Sequence, residues 1–319
     1  MSTFLVTGAA GFIGSNTSER LLESGNSVVG VDNLNDYYDV RLKQLRLERL
    51  IGRDGFEFVE LDIESLEDLR PHFERNRFDG VLNLAARAGV RYSVENPFVY
   101  YSTNVVGILN LLELMKENGV LKLVLASTSS LYAGQPLPFT EDLPVNTPIS
   151  PYAATKKAAE VLAYTYYKLY GIDVSILRYF TVYGPAGRPD MFIYRIIRSI
   201  AENVPLTLYG DGEQSRDFTY VDDIAEGTVN ALQNVGYEII NLGGGKSPVT
   251  INAVIESVEN SMGKKAEIRR QAFNEADMRD TGADISKAAD LLGWAPKIGI
   301  DEGLKRSIDW YLANRERLA

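Results

Sequence analysis

Three glycines at a spacing of three, Gly8, Gly11 and Gly14, constrain this chain more than any other feature. They follow an apolar run, Thr3-Phe4-Leu5-Val6-Thr7, and open a helical run reaching Ser24. A second apolar run, Ser27-Val28-Val29-Gly30-Val31, then closes on Asp32. The order is strand, glycine turn, helix, strand, acid. Gly8 permits the tight turn, Gly11 leaves the backbone bare enough to approach a pyrophosphate, and Gly14 lets the helix lie close on the first strand. The helix start, with Phe12 and Ile13, offers free N–H groups and a positive dipole end to phosphate oxygens. Asp32 stands where a carboxylate accepts hydrogen bonds from adenosine ribose hydroxyls. The plainer reading is a tight turn with an incidental acid, but the placement of all these parts predicts a dinucleotide site. The carboxylate, with no Arg or Lys at Asn33 or Leu34 to receive a 2′-phosphate, predicts NAD rather than NADP.

Composition narrows the chemistry. The 319 residues hold no cysteine and one histidine, His72. Disulfides, thiolate chemistry and cysteine–zinc sites are excluded. So are a Ser–His triad and a two-histidine metal site, and acid–base work falls to Tyr, Lys, Asp or Glu. No metal is expected. His72, in the charged helical run Leu66–Arg77, reads as a surface residue. A net charge of −10 argues against nucleic acid, which wants a basic face. An anionic substrate must therefore be held by a few placed Arg and Lys. The chain enters its first strand within a few residues, which leaves no room for a signal peptide. No apolar run approaches the ~20 residues needed to cross a bilayer. A cytoplasmic protein without a membrane partner is expected.

After Asp32 come a polar loop and a basic amphipathic helix, Val40 to Leu50. Phe56–Leu61 reads as a third strand ending in Asp62-Ile63, where Asp62 either bonds an adenine amino group, caps the following helix, or does both. Gly80–Leu84 is a fourth strand leading into Ala85-Ala86-Arg87-Ala88-Gly89, small enough for close backbone approach to a ligand. Phe98–Asn118 is a long helix with Asn104 on its early turns, and Leu121–Ser127 a fifth strand. That strand opens into Thr128-Ser129-Ser130, hydroxyls at a strand's carboxyl end, where open α/β sheets bind ligands. Pro151-Tyr152 opens a helix to Tyr170, and Ile172–Leu177 is a sixth strand. The alternation predicts α/β architecture: a Rossmann-type doubly wound parallel sheet with a smaller interleaved α/β substrate domain. The dinucleotide domain is placed at 1–180, with segments near 217–245 returning to it, and 181–319 is assigned mainly to substrate.

Tyr152 and Lys156 lie four apart on one helix face. A free tyrosine has a pKa of about 10, so service as a base at neutral pH needs roughly 4 kcal/mol of help. A cation at ~4 Å contributes about that much at an effective dielectric of ~20. Lys156 is the expected cation, and Thr128 a second hydroxyl to share the substrate's proton. Tyr and Lys at this spacing often merely decorate a helix; the preceding glycine turn and hydroxyl loop favour the chemical reading.

Gly8-x-x-Gly11-x-x-Gly14 with Tyr152-x-x-x-Lys156 resembles the extended short-chain dehydrogenase/reductases over essentially the whole chain. Asp32–Lys43, Leu84–Ser93 and above all Arg178–Met191 resemble the nucleotide-sugar 4-epimerases, those acting on UDP-glucuronate in particular. The resemblance implies tightly held NAD, a UDP-sugar substrate, oxidation at C4 to a transient 4-keto sugar, rotation, and reduction from the other face. It makes Tyr152 the base at O4, with Thr128 on O4 and Lys156 also on the nicotinamide ribose. The full cofactor set it implies is Gly8, Gly11, Phe12, Ile13, Gly14, Asp32, Asn33, Asp62, Ile63, Leu84, Ala85, Ala86, Asn104, Tyr152, Lys156 and Tyr179.

By the same resemblance Ser129, Ser130 and Thr181 hold a substrate carboxylate. A related decarboxylase family carries a Glu beside its Thr, and dehydratases carry Asp-Glu; neither is present here. Arg188 and Arg216 are candidates for the anionic end of the substrate, Asp277 for the uridine ribose, Met191 and Phe192 for the uracil, and Arg279 for a diphosphate contact. Asn83, Ala133 and Asn274 depart from the family pattern. The rivals are a UDP-glucose or UDP-N-acetylglucosamine 4-epimerase, a UDP-glucuronate decarboxylase, and a non-catalytic NAD-sensing protein. The helices Phe98–Asn118 and Pro151–Tyr170 are the expected surfaces of a homodimer.

Overall fold

The apolar runs do become strands, and the sheet they form is wholly parallel. In the computed structural model, which describes residues 1–245, 248–273 and 277–318, the first six strands are β1 (Thr3–Thr7), β2 (Ser27–Asp32), β3 (Phe56–Glu60), β4 (Gly80–Asn83), β5 (Lys122–Thr128) and β6 (Asp173–Tyr179). The order across the sheet is β3, β2, β1, β4, β5, β6, and then Tyr237–Leu242 at the edge beside β6. The order reverses between β1 and β4, which opens a crevice at the carboxyl ends of the strands there.

Helices cover both faces. On one side α3 (Leu66–Arg75), Gly107–Asn118 and Pro151–Tyr170 bury Leu69, Phe73, Leu111, Met115 and Tyr166 against Leu5, Val81, Leu123 and Ile176. On the other, α1 (Phe12–Glu23) and Val221–Asn230 pack Leu21, Val221 and Ile224 on Val6, Leu82, Val124 and Ile240, with Trp294 closing the layer. α2 (Val40–Leu47) lies beyond α1. A third core belongs to the later chain: Ile193, Ile196, Val254, Val258, Leu304 and Tyr311, from three helices, gather around Leu206 and Leu208.

Several expectations change. β6 runs on through Arg178, which is fully buried in the strand rather than ending it. The long helix begins at Pro97, and Ser102–Val106 is a π turn. This turn brings Gly107 against Ile63; a Cβ on Gly107 would lie 2.6 Å from its Cδ1. Pro97–Asn118 is long and apolar enough to cross a membrane by length and composition, contrary to the sequence reading, but over half of it is buried within the protein, against α3 and the Tyr152 helix. His72 is half-buried rather than fully at the surface.

Candidate active site

The glycine turn takes the conformation its residue types allow. Gly8 has φ +70°, and a Cβ there would lie 2.8 Å from the backbone N of Ala85. A Cβ on Gly14 would collide with the carbonyl oxygen of Gly8. Gly11 N–H donates to Gly8 O at 2.8 Å. No side chain caps the start of α1 and no acid stands in its first turn. Its leading N–H groups therefore remain available to an anion. These residues fit the pyrophosphate of a dinucleotide.

Asp32, at the end of β2, is buried; its Oδ2 accepts Ala10 N–H at 3.2 Å and its Oδ1 accepts Leu34 N–H at 2.9 Å. Asp62 accepts from Asn33 Nδ2 at 2.6 Å and from Glu64 N–H at 2.9 Å, so it belongs to a loop turn as well as to the crevice. Ser65, not Asp62, caps α3. Asn83, at the end of β4, accepts Thr7 Oγ1–H at 2.7 Å, and Thr7 Oγ1 in turn accepts Ala85 N–H at 3.1 Å. The unusual Asn thus helps hold the small-residue loop in place.

Ser150 caps the Tyr152 helix, its Oγ accepting Ala153 N–H at 3.2 Å, and Pro151 fills the first turn. That pins Tyr152 one residue inside the helix start, opposite the end of β5. Tyr152 and Thr128 face the same cavity, and the Thr128 hydroxyl favours the phenolate form of Tyr152. Lys156 Nζ donates to Ala126 O of β5 at 3.0 Å. Thr128 Oγ1 also accepts Ser130 N–H at 3.1 Å, which folds the hydroxyl loop into a tight turn.

Burial pushes the Tyr152 phenol up, and the neighbouring Thr128 hydroxyl and the Arg188 charge oppose it. Burial pushes Lys156 itself down to about 8, with Glu160 opposing.

One cavity of about 660 Å³ receives both expected sets. Gly8, Gly11, Phe12, Ile13, Gly14, Asp32, Asn33, Asp62, Ile63, Leu84, Ala85, Ala86, Tyr152, Lys156 and Tyr179 line it, as do Thr128, Ser129, Ser130, Thr181, Arg188, Met191, Phe192, Arg216 and Asp277. Two residues fall outside. Asn104 sits behind the small-residue loop: its Oδ1 accepts Arg87 N–H at 2.9 Å, and its Nδ2 donates to Arg87 O and Thr155 Oγ1, both at 3.0 Å. It braces the wall rather than lining it, because the π turn rotates it toward the Tyr152 helix. Arg279 is mostly exposed, 3.8 Å from Asp211; only its carbonyl takes part, accepting from Ser215 N–H and from Arg216 Nη1. Asn274 lies outside the described residues.

The candidate arginines are already engaged. Arg188 pairs with Asp190 at 2.5 Å, and Arg216 with Asp277 at 3.1 Å. Four more cations line the cavity without being marked by the sequence as site residues: Lys43, Arg87, Arg91 and Arg195. Arg91 lies 3.9 Å over the Tyr209 ring and 3.5 Å from Asp277. Arg195 donates to Thr207 O at 2.9 Å. The sequence signal for Arg91 is its place in the family-like stretch Leu84–Ser93. Arg195 lies on the helix Phe192–Glu202, and nothing in its sequence context marks it as a site residue.

Comparison with known proteins agrees with this geometry. The chain is 58% identical over 316 residues, 99% of its length and 98% of the relative's, to a UDP-glucuronate 4-epimerase of Thermodesulfobacterium geofontis. It superposes with a TM-score of 0.92 at 40% identity on the UDP-glucuronic acid 4-epimerase of Bacillus cereus, crystallised with UDP-glucuronic acid and NAD, covering 98% of this chain and 99% of that one. The UDP-glucose 4-epimerase of Thermotoga maritima, solved with UDP-glucose, gives 0.89 at 32% identity, covering 99% and 100%. The model of the NAD dependent epimerase/dehydratase family matches residues 4–243, the span that carries the glycine turn, the hydroxyl loop and the Tyr152–Lys156 pair. The chain belongs to that family.

Proposed function

We propose that this chain is an NAD-dependent nucleotide-sugar 4-epimerase, an isomerase that interconverts UDP-glucuronate and UDP-galacturonate through a transient 4-keto sugar. The observation that carries the proposal is the convergence of the glycine turn, Tyr152, Lys156 and the Thr128–Ser130 hydroxyls on one cavity, in a chain 58% identical to a UDP-glucuronate 4-epimerase.

Bound NAD supplies the acceptor and donor of the C4 hydride. The chain's own residues do the rest. The first N–H groups of α1 hold the pyrophosphate and Asp32 the adenosine ribose. Lys156, fixed on Ala126 O, holds the nicotinamide ribose. Tyr152 takes the O4 proton and later returns it, and Thr128 stabilises the phenolate by donating to it. Ser129, Ser130 and Thr181 donate to the sugar carboxylate, with no acid in the loop to repel it. Arg188 and Arg216, with Arg91 beside them, meet the anionic end of the substrate, where they offset the protein's overall negative charge.

In this reading 1–180, with 217–245, carries the cofactor, and 181–319 mainly the nucleotide sugar. The chain pairs with a second copy through Pro97–Asn118 and Pro151–Tyr170, whose outer faces leave Phe98, Tyr101, Val106, Val161 and Tyr164 exposed. A cytoplasmic site of action accords with the absence of cysteine.

Incubation with UDP-glucuronate, followed by chromatography and proton NMR, tests the activity. UDP-galacturonate without CO₂ is the expected product. A UDP-pentose with CO₂ makes the chain a decarboxylase, and turnover of UDP-glucose alone removes the uronate claim.

A further inference from the structure

In sequence no cation directly follows Asp32, which favours NAD over NADP. The fold supplies one from farther along. Lys43, on α2, places its Nζ 3.4 Å from Asp32 Oδ1, with both side chains buried and both lining the cavity. Its position is fixed from several sides. Asp39 caps α2, its Oδ1 accepting Arg41 N–H at 2.9 Å. Lys43 Nζ lies 5.5 Å from the centre of the Tyr38 ring. One turn on, buried Arg46 donates to Ala186 O at 2.8 Å, to Ala10 O at 3.2 Å and to the Tyr38 hydroxyl at 2.6 Å, which locks the helix onto the glycine turn.

The wall that meets the adenosine ribose is therefore an ion pair rather than a bare carboxylate. A carboxylate alone would face a 2′-phosphate with a full negative charge. A lone ammonium would welcome it, because a fixed Lys is a good phosphate partner. Each group here occupies the other.

We propose that Lys43 is a specificity-determining residue for the cofactor: Asp32 excludes NADP chiefly by occupying the Lys43 ammonium, which otherwise receives a 2′-phosphate. This rests on the NAD reading above.

The test is direct binding of NAD⁺ and NADP⁺ to protein freed of nucleotide, by titration calorimetry, with wild type, D32N, K43M and D32N/K43M. Wild type is expected to prefer NAD⁺. D32N should bind NADP⁺ at least tenfold more tightly than wild type. D32N/K43M should lose at least tenfold of that gain, while its NAD⁺ affinity stays within threefold of D32N. K43M alone should widen the wild-type preference for NAD⁺. Equal NADP⁺ affinity in D32N and D32N/K43M overturns the proposal, as does an unchanged or narrower preference in K43M. Should D32N fail to fold, judged by its thermal melt, K43M decides the question alone. Wild type that binds neither nucleotide overturns the NAD reading itself, an outcome distinct from NAD⁺ binding with no effect of Lys43.

Discussion

Arg178 and Glu160 meet in a two-pronged ion pair, Nε to Oε1 and Nη2 to Oε2 both at 2.9 Å, with neither side chain reaching solvent. Ser127 Oγ adds a bond to Glu160 Oε1 at 2.7 Å, and Arg178 Nη1 donates to the Tyr132 hydroxyl at 2.8 Å, which donates on to Asn241 at 2.8 Å. The network ties the end of β5, one residue before Thr128, to the helix that carries Tyr152 and Lys156.

Removing one partner leaves a buried charge alone, which costs about 3–5 kcal/mol. Glu160→Gln and Arg178→Met should each lower stability by more than about 2 kcal/mol in urea unfolding. Replacing both, as Glu160→Leu with Arg178→Met, should recover most of the loss, since a well-packed apolar pair is often neutral. Single variants within 1 kcal/mol of wild type would show that the pair is not a structural clamp.

The glycine turn makes a sharper prediction. A Cβ at Gly14 has only backbone to move, while one at Gly299 meets nothing within 4 Å. Gly14→Ala should cost at least a hundredfold in NAD⁺ affinity or prevent folding, and Gly299→Ala should do neither. Calorimetric titration with NAD⁺ checks both; normal binding by Gly14→Ala would mean that α1 tolerates displacement from β1.

Assembly is tested at the exposed apolar stripe. Phe98 is 82% exposed on one helix, and Val161 and Tyr164 stand exposed on the other. The proposed pairing would bury this stripe. Phe98→Glu with Val161→Glu should convert a dimer to a monomer in light scattering behind size exclusion. A wild-type monomer, or a dimeric variant, excludes this pairing.

The parts of the molecule that follow local rules were legible in the sequence. The expected helix from Pro151 to about Tyr170 matches the observed Pro151–Tyr170, whose ends Ser150 and Gly171 cap. The glycine turn and Asp32 were placed by spacing alone. What escaped depended on partners distant in sequence. Arg178 reads as a strand end until Glu160 makes its burial tolerable. Lys43 reads as helix surface until the fold sets it on Asp32, and Asn104 as a ligand contact until the π turn aims it at Arg87. Arg279 has the right residue type near Asp277, but its side chain is exposed beside Asp211 and does not line the cavity. Sequence spacing does not encode that placement.

Lys156 offers a test in which function and stability oppose each other. Its ammonium is buried, with its hydrogen bond to Ala126 O and the more distant Glu160 charge as its support, and its pKa falls from 10.5 to about 8. The unfolded chain therefore binds the proton more tightly between about 8 and 10.5, and this group's contribution to stability rises with pH across that window. Below about 8 the full penalty applies, corresponding to about 3 kcal/mol. Loss of the bond to Ala126 O takes back about 1 kcal/mol. Lys156→Met should then stabilise the cofactor-free protein by about 2 kcal/mol at pH 7 while abolishing turnover, and the gain should disappear as pH approaches 10.5. Urea unfolding of both proteins at pH 7, 8.5 and 10 measures it. A variant no more stable than wild type at pH 7, or a gain that grows with pH, would mean that the ammonium sits comfortably in the fold, and that its place beside Tyr152 carries no cost in stability.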